Sequence, residues 1–253
     1  AHVPQGTLHI GVDLGTAYLV LVVLDQDKQP LAGEYQFAQV VRDGLVVDYL
    51  GAIDLLKAMK ERVEHRLGRQ LTHAASGYPP GVQRVEVRAT ANVVEAAGLR
   101  CTNMVDEPSA ANAVLRMQNG AIVDVGGGTT GIAILKDGQV VYTADEPTGG
   151  THFSLVIAGA QNISFEEAEA MKIDPSQQNR LFTSVRPVME KVGNIVARHV
   201  QQSKVKVESL TLVGGTSAFP GMAKVVEEYT KIPTSVPERP LFVTPLGIAM
   251  NDV

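Results

Sequence analysis

The chain has 253 residues, 19% charged and 45% hydrophobic, with a net charge of −5. That describes an ordinary folded protein able to bury roughly three-quarters of its unfolded surface, not a disordered one. It gives no basic face for nucleic acid, and the single cysteine, Cys101, excludes an internal disulfide and fits a reducing compartment.

Residues 9–31, HIGVDLGTAYLVLVVLDQDKQPL, predict an apolar strand, an aspartate, a glycine turn, a second strand, a polar turn and a third short strand. The apolar run LVLVVL at 19–24 is far too short to span a bilayer. With no signal-peptide pattern, no membrane span is expected and the expected location is cytoplasmic. The stretch AIDLLKAMKERVEHRL at 52–67 predicts a helix with Ile53, Leu56, Met59, Val63 and Leu67 on one stripe, and its interleaved Lys, Arg and Glu residues read as a solvated face. A strand at 72–78, a helix over roughly 82–98, a short strand to about Val105 and a helix from Glu107 or Pro108 to Met117 follow.

Residues 121–141, AIVDVGGGTTGIAILKDGQVV, repeat the first pattern. The repeat sets Asp13 against Asp124, Gly15 against Gly126 or Gly127, and Thr16 against Thr129. Apolar residues and a KDG turn follow the glycines, with neither a helix nor the lysine of a Walker loop, so the glycines belong at the tip of a β-hairpin and not in a dinucleotide fingerprint. Two such hairpins, one per lobe, suit the gripping of a polyphosphate. Helices near 151–161 and 164–172 come next, then a longer one over about 186–202 with Val188, Val192, Ile195 and Val196 inward. LTLVGG at 210–215 reads as a buried strand, followed by a helix at 218–230, and TPLGIAM opens a last helix. Strands alternating with helices, duplicated, predict a two-lobed α/β protein with a cleft: lobe I over 1–117, lobe II over 118–243, and 244–253 returning to lobe I.

Asp13 and Asp124 each end an apolar strand at a glycine turn. Paired carboxylates there suit a hard cation that bridges phosphates, Mg²⁺; the plainer alternative is that each ties down its own turn. Glu107, just before a helix, either orients a water or merely favours the helix N-terminus, with Asp106 and Ser109 competing to cap. Gly214 and Gly215 form a third glycine turn between strand and helix, a weak signal alone. The six histidines lack metal-ligand spacing, Cys101 reads as a small buried or half-buried residue, and Ser76 lacks a hydrolase elbow.

In this order the pieces resemble the actin-like ATPase superfamily, which includes DnaK-type chaperones. VDLGT (12–16) is similar to its first phosphate motif, VDVGGGTTGIAI (123–134) to its second, EPSAANAV (107–114) to its first connecting helix, VGGTSAFPGM (213–222) to its adenosine motif and TPLGIAM (244–250) to its second connecting segment. VVRDGLVVDY (40–49), SGYPPG (76–81) and GLRCTNMVDEPSAANAVL (98–115) resemble the chaperone-like branch found in ethanolamine-utilisation operons, whose metabolism runs inside a bacterial microcompartment. The resemblance implies a fold of two duplicated RNase H-like lobes with reduced accessory subdomains, ATP and Mg²⁺ as cofactors, and protein clients from that pathway or its microcompartment. It implies Asp13 and Asp124 holding Mg²⁺ through water, and Gly15, Thr16, Gly126, Gly127, Gly128 and Thr129 at the phosphates. It further implies Glu107 positioning the hydrolytic water, Gly214, Gly215 and Thr216 against adenosine, and Glu169 with Lys172 lining ribose and base.

Departures temper the activity. The phosphate-positioning lysine of DnaK-type chaperones has no evident counterpart, Ala17 replaces a second threonine, and Gly131 stands where many relatives carry an acid. Between Lys172 and Pro187 there is little room for the small sheet that usually caps the second lobe. The expectation is ATP binding with slow hydrolysis at most. The competing readings are a non-enzymatic scaffold that docks a peptide and a small-metabolite kinase with an acceptor pocket. An iron–sulfur dehydratase activator would need two cysteines per subunit.

Overall fold

The computed structural model describes residues 4–42 and 45–253. Asp43 and Gly44 of the 40–49 motif lie outside the described residues. The described chain runs β1(His9–Leu14), β2(Tyr18–Leu24), β3(Pro30–Phe37), β4(Val41–Arg42), β5(Leu45–Val46), α1(Tyr49–Leu67), β6(His73–Tyr78), α2(Arg84–Ala96), β7(Arg100–Asp106) and α3(Glu107–Leu115). It continues as β8(Gly120–Val125), β9(Thr130–Lys136), β10(Gln139–Glu146), α4(Gly150–Gln161), α5(Phe165–Ile173), α6(Pro175–Ser203), β11(Leu210–Val213), α7(Met222–Thr230), β12(Thr234–Ser235) and α8(Val243–Met250). None of its helices is long and apolar enough to cross a membrane.

Two compact units result, one of Ala1–Arg116 with Phe242–Val253 and one of Met117–Leu241. Each holds a five-stranded sheet of the same plan, β3-β2-β1-β6-β7 in the first and β10-β9-β8-β11-β12 in the second. In both, the first three strands meander antiparallel and the last two join in parallel. The central strands β1, β2, β8 and β9 are nearly continuous apolar runs because both of their faces are covered. The edge strands β3 and β10 alternate between exposed and half-buried residues.

In the first unit, Ile10, Val12, Leu19, Leu21 and Val23 pack with Leu56, Met59 and Val63 of α1 and with Val93 and Val94 of α2. The opposite face carries α3 and α8, where Ala75, Val105, Ala110 and Ile248 form a small core. The C-terminal residues are fastened to this unit. Buried Asp252 accepts hydrogen bonds from the Ile10 N–H at 2.8 Å and from the Thr102 hydroxyl, and pairs with His73 at 3.2 Å. In the second unit, Val123, Val125, Ile132 and Ile134 of the sheet pack against Phe153 of α4, the α6 stripe and Val225 and Val226 of α7.

The structure corrects the expected helix at 186–202. α6 has 29 residues and begins at Pro175, with Pro187 in its interior. A start near 186 misses the signal upstream, where Asp174 caps the Ser176 N–H at 2.9 Å and Pro175 takes the first helical position. Leu181, Val185, Val188, Met189, Val192, Ile195 and Val196 form one buried helical stripe through the proline, and that burial outweighs the lost backbone bond, about 3 kcal/mol. The helix expected at 218–230 is likewise shorter: residues 215–218 form a 3₁₀ turn and α7 starts at Met222.

Candidate functional site

Both glycine clusters sit at hairpin tips. Leu14 pairs with Leu19 and Val125 with Thr130, leaving four-residue loops at 15–18 and 126–129. The Gly15 N–H donates to the Tyr18 carbonyl at 3.1 Å, and the Gly126 N–H donates to the Thr129 carbonyl at 3.0 Å. This register makes Gly15 the counterpart of Gly126 and Tyr18 the counterpart of Thr129. Thr16 therefore answers to Gly127, which corrects the match of Thr16 to Thr129: the shared residue type misled, and the hydrogen bonds decide. Asp13 and Asp124 do correspond, opposite Val20 and Gly131.

In the second unit the loop is held by α4. The Gly150 N–H and the Thr216 hydroxyl both donate to the Gly126 carbonyl at 2.9 Å. The Thr151 N–H (2.7 Å) and hydroxyl (2.9 Å) both donate to the Gly127 carbonyl. Gly149 makes this approach possible, since a Cβ there would lie 2.6 Å from the Gly126 carbonyl oxygen and 2.7 Å from that of Gly127.

α5 supplies the next layer. Ser164 and Glu167 cap it reciprocally, and Glu169 and Lys172, three residues apart, share its buried face. Lys172 Nζ meets Glu169 Oε2 at 2.6 Å and donates to the Gly150 carbonyl at 3.1 Å. The fully buried Ser154 hydroxyl lies within hydrogen-bond reach of both Glu169 Oε2 (2.6 Å) and the Gly150 carbonyl (3.2 Å). Burial outweighs the neighbouring carboxylate and holds the Lys172 ammonium below the ordinary lysine range. A buried ion pair is a costly way to stabilise a fold and marks a functional candidate.

The third glycine turn closes on the same place. Gly214 has φ +85, and a side chain there would strike Asp124 Oδ1 and the Val125 carbonyl. The second unit thus gathers Asp124, Gly126, Gly127, Gly128, Thr129, Glu169, Lys172, Gly214, Gly215 and Thr216 around one hairpin tip. Gly149, Gly150, Thr151 and Ser154 were missed in the sequence; their signal was the glycine pair of TGGT at 148–151, directly before a helix.

In the first unit, Asp13, Gly15, Thr16 and Glu107 lie at the C-terminal ends of parallel strands. Pairing of Gly11 with Ala75 and Val12 with Ser76 sets the ends of β1 and β6 side by side. Glu107 opens α3, with its Cγ beside Gly77. The capping contest goes to Asp106, whose carboxylate accepts the Ser109 N–H at 3.0 Å. Ser76 is buried and donates to the Val12 carbonyl at 2.8 Å, a structural role. Among the described residues no group of three or more His, Cys, Asp or Glu side chains gathers to hold a metal. A cation at Asp13 or Asp124 would then draw most of its ligands from water and phosphate, the habit of Mg²⁺.

Known proteins share this fold. The family described as type IV pilus assembly protein PilM matches residues 81–243. The ethanolamine utilization protein EutJ of Escherichia coli K12 is 42% identical over 248 residues, 98% of this chain and 87% of that protein. The crystal structure of EutJ from Carboxydothermus hydrogenoformans superposes with a TM-score of 0.93 at 45% identity, covering 98% of this chain and 91% of that one. MreB5 of Spiroplasma citri, solved bound to AMPPNP, shares the fold at a TM-score of 0.74 and 17% identity, covering 98% and 96%. The chain belongs to the EutJ family of ethanolamine utilization proteins, built on the actin-like ATPase fold.

Proposed function

We propose that the protein binds Mg·ATP and works as a chaperone-like protein or adaptor for ethanolamine-utilisation enzymes or microcompartment shell proteins, hydrolysing the nucleotide slowly. The observation that carries the reading is the second-unit loop. The Gly126 and Gly127 carbonyls are tied to α4, and the buried Glu169–Lys172 pair meets the same Gly150 peptide. In this reading the loop amides of Gly126, Gly127 and Gly128 and the Thr129 hydroxyl receive phosphate oxygens, and the equivalent loop of the first unit, with Gly15 and Thr16, has the same capacity. Gly214, Gly215 and Thr216 flank the adenosine, and Glu169 and Lys172 recognise its ribose and base.

Asp13 in the first unit and Asp124 in the second each end a strand at a glycine turn, where a carboxylate would hold a hydrated Mg²⁺ that would neutralise phosphate charge when bound. Glu107, at the start of α3, would position the attacking water and accept its proton. The fit rests on hairpin amides for phosphate, a buried polar pair beyond them, and carboxylates at both strand ends. The EutJ name supports the pathway, and nucleotide-bound MreB5 supports the ligand class. A slow ATPase of this kind acts as a switch: a partner that binds the ATP and ADP forms differently is gripped in one and released in the other.

The test is titration calorimetry of ATP with and without Mg²⁺ on the wild type and on Asp13→Ala. Mg²⁺-dependent binding that the variant loses is expected. A wild type that binds no nucleotide would sink the reading and leave the non-enzymatic scaffold in its place.

A further inference from the structure

The two carbonyls of the second hairpin tip are saturated. A carbonyl oxygen has two lone pairs, and here each is met: Gly126 by the Gly150 N–H and the Thr216 hydroxyl, Gly127 by the Thr151 N–H and hydroxyl. All peptide bonds are trans among the described residues, so each N–H points away from the carbonyl of its own peptide plane. With the Gly126 and Gly127 carbonyls drawn toward α4, the N–H groups of Gly127 and Gly128 are turned to the opposite side. Two consecutive amides presented together are a binding element for an anion. A glycine loop left to itself samples many peptide orientations, since glycine is the least restricted residue. Rotating either peptide here breaks two hydrogen bonds at once.

We propose that Thr151 is a positioning residue for phosphate recognition: its backbone N–H and hydroxyl lock the 127–128 peptide so that the Gly128 N–H faces the ligand. The inference rests on the nucleotide-binding reading and deepens it by assigning this residue to the phosphate end and not to the adenosine end. Thr151 lies at the second position of α4, and its two donors are spent on the loop. In this role it acts through the loop.

The experiment compares wild type, Thr151→Val and Thr151→Ser by calorimetry with three probes: Mg·ADP, Mg·pyrophosphate and adenosine. Valine keeps the branched shape and the N–H but removes the hydroxyl; serine keeps the hydroxyl. Losing one net hydrogen bond at the loop predicts that Thr151→Val binds Mg·ADP and Mg·pyrophosphate about three- to tenfold more weakly, with adenosine within about twofold. Thr151→Ser should match wild type for all three. Melting curves without ligand identify any variant that fails to fold, and Thr151→Ala then replaces Thr151→Val in the same series.

Equal weakening for all three probes would mean a general structural role and overturn the proposal. Unchanged Mg·ADP and Mg·pyrophosphate binding in a folded Thr151→Val would overturn it while leaving the nucleotide reading intact. A wild type that binds none of the three would overturn both.

Discussion

The loops at 15–18 and 126–129 occupy equivalent places in duplicated sheets and close with the same hydrogen bond, yet they are supported in opposite ways. The first is braced by its own sheet: the Ala17 carbonyl accepts the Ala38 N–H at 2.9 Å just past β3. The Tyr18 ring packs at a tilt against Tyr35 and edge-on against Phe37, with centroids 5.8 and 5.6 Å away. The second is braced from outside, by α4 and the turn at 215–218. A duplicated backbone has thus kept its register while the burden of rigidity moved from the strands to a helix. The helix-braced loop is the one joined to the buried Glu169–Lys172 pair.

The sharpest way to break the contrast is to empty one half of that pair. Lys172→Met leaves Glu169 buried without its cation, and a buried pair cut on one side costs about 3–5 kcal/mol. The double variant Glu169→Gln, Lys172→Met should recover much of that loss, read by urea unfolding of both proteins. A double variant as unstable as the single one would mean that the packing of the side chains, and not their charge, carries the effect. Next in size is Gly149→Ala, whose methyl would press on two backbone carbonyls. Overpacking against backbone predicts a loss of about 2–3 kcal/mol, with weaker Mg·ADP binding.

The glycines that open the two loops should respond unequally. A Cβ on Gly15 would lie 2.6 Å from the Tyr18 carbonyl oxygen, whereas one on Gly126 meets nothing closer than the Thr129 carbonyl at 3.6 Å. Gly15→Ala should cost about 1–2 kcal/mol as the strand-braced loop distorts, while Gly126→Ala should fall within the roughly 0.5 kcal/mol expected of a substitution that breaks nothing. Equal effects on urea midpoints would show that the two loops are braced alike.

Most of the fold was legible because its strongest signal is local and occurs twice: apolar strand, aspartate, glycine turn, apolar strand. Of the predicted stripe, Ile53, Leu56, Met59 and Val63 are buried and Leu67, at the end of the helix, is half-buried. Misreadings arose elsewhere. The helix expected from about 186 begins at Pro175 and runs through Pro187, a tolerated interior residue because the side chains around it bury a continuous stripe. Thr16 and Thr129 share a type but not a place in the ladder, and residue identity carries no register. Thr151 and Ser154 went unseen because each acts through a partner distant in sequence, Gly127 and Glu169. Long-range hydrogen bonds of this kind leave no periodicity.

The outer strands extend the contrast to the edges of the two sheets. Glu34 on β3 is paired with Arg62 and Arg66 of α1, and Glu146 on β10 is paired with Arg198 and His199 of α6. Only the second pairing includes a histidine, whose Nδ1 meets the Tyr142 hydroxyl at 2.7 Å. The hydrogen bond from His199, helped by Arg198, holds the Glu146 carboxyl below the usual glutamate range. A carboxylate with a depressed folded pKa contributes stability above its unfolded pKa and loses it as pH falls through the folded value. Glu146→Gln should therefore lower stability slightly at neutral pH, by about 1 kcal/mol or less for a partly exposed pair. The gap to wild type should close as pH falls from about 5 toward 3, and unfolding midpoints across that range would show it. A gap that stays constant with pH would assign the loss to the hydrogen-bond geometry that glutamine fails to reproduce, and not to the charge on Glu146.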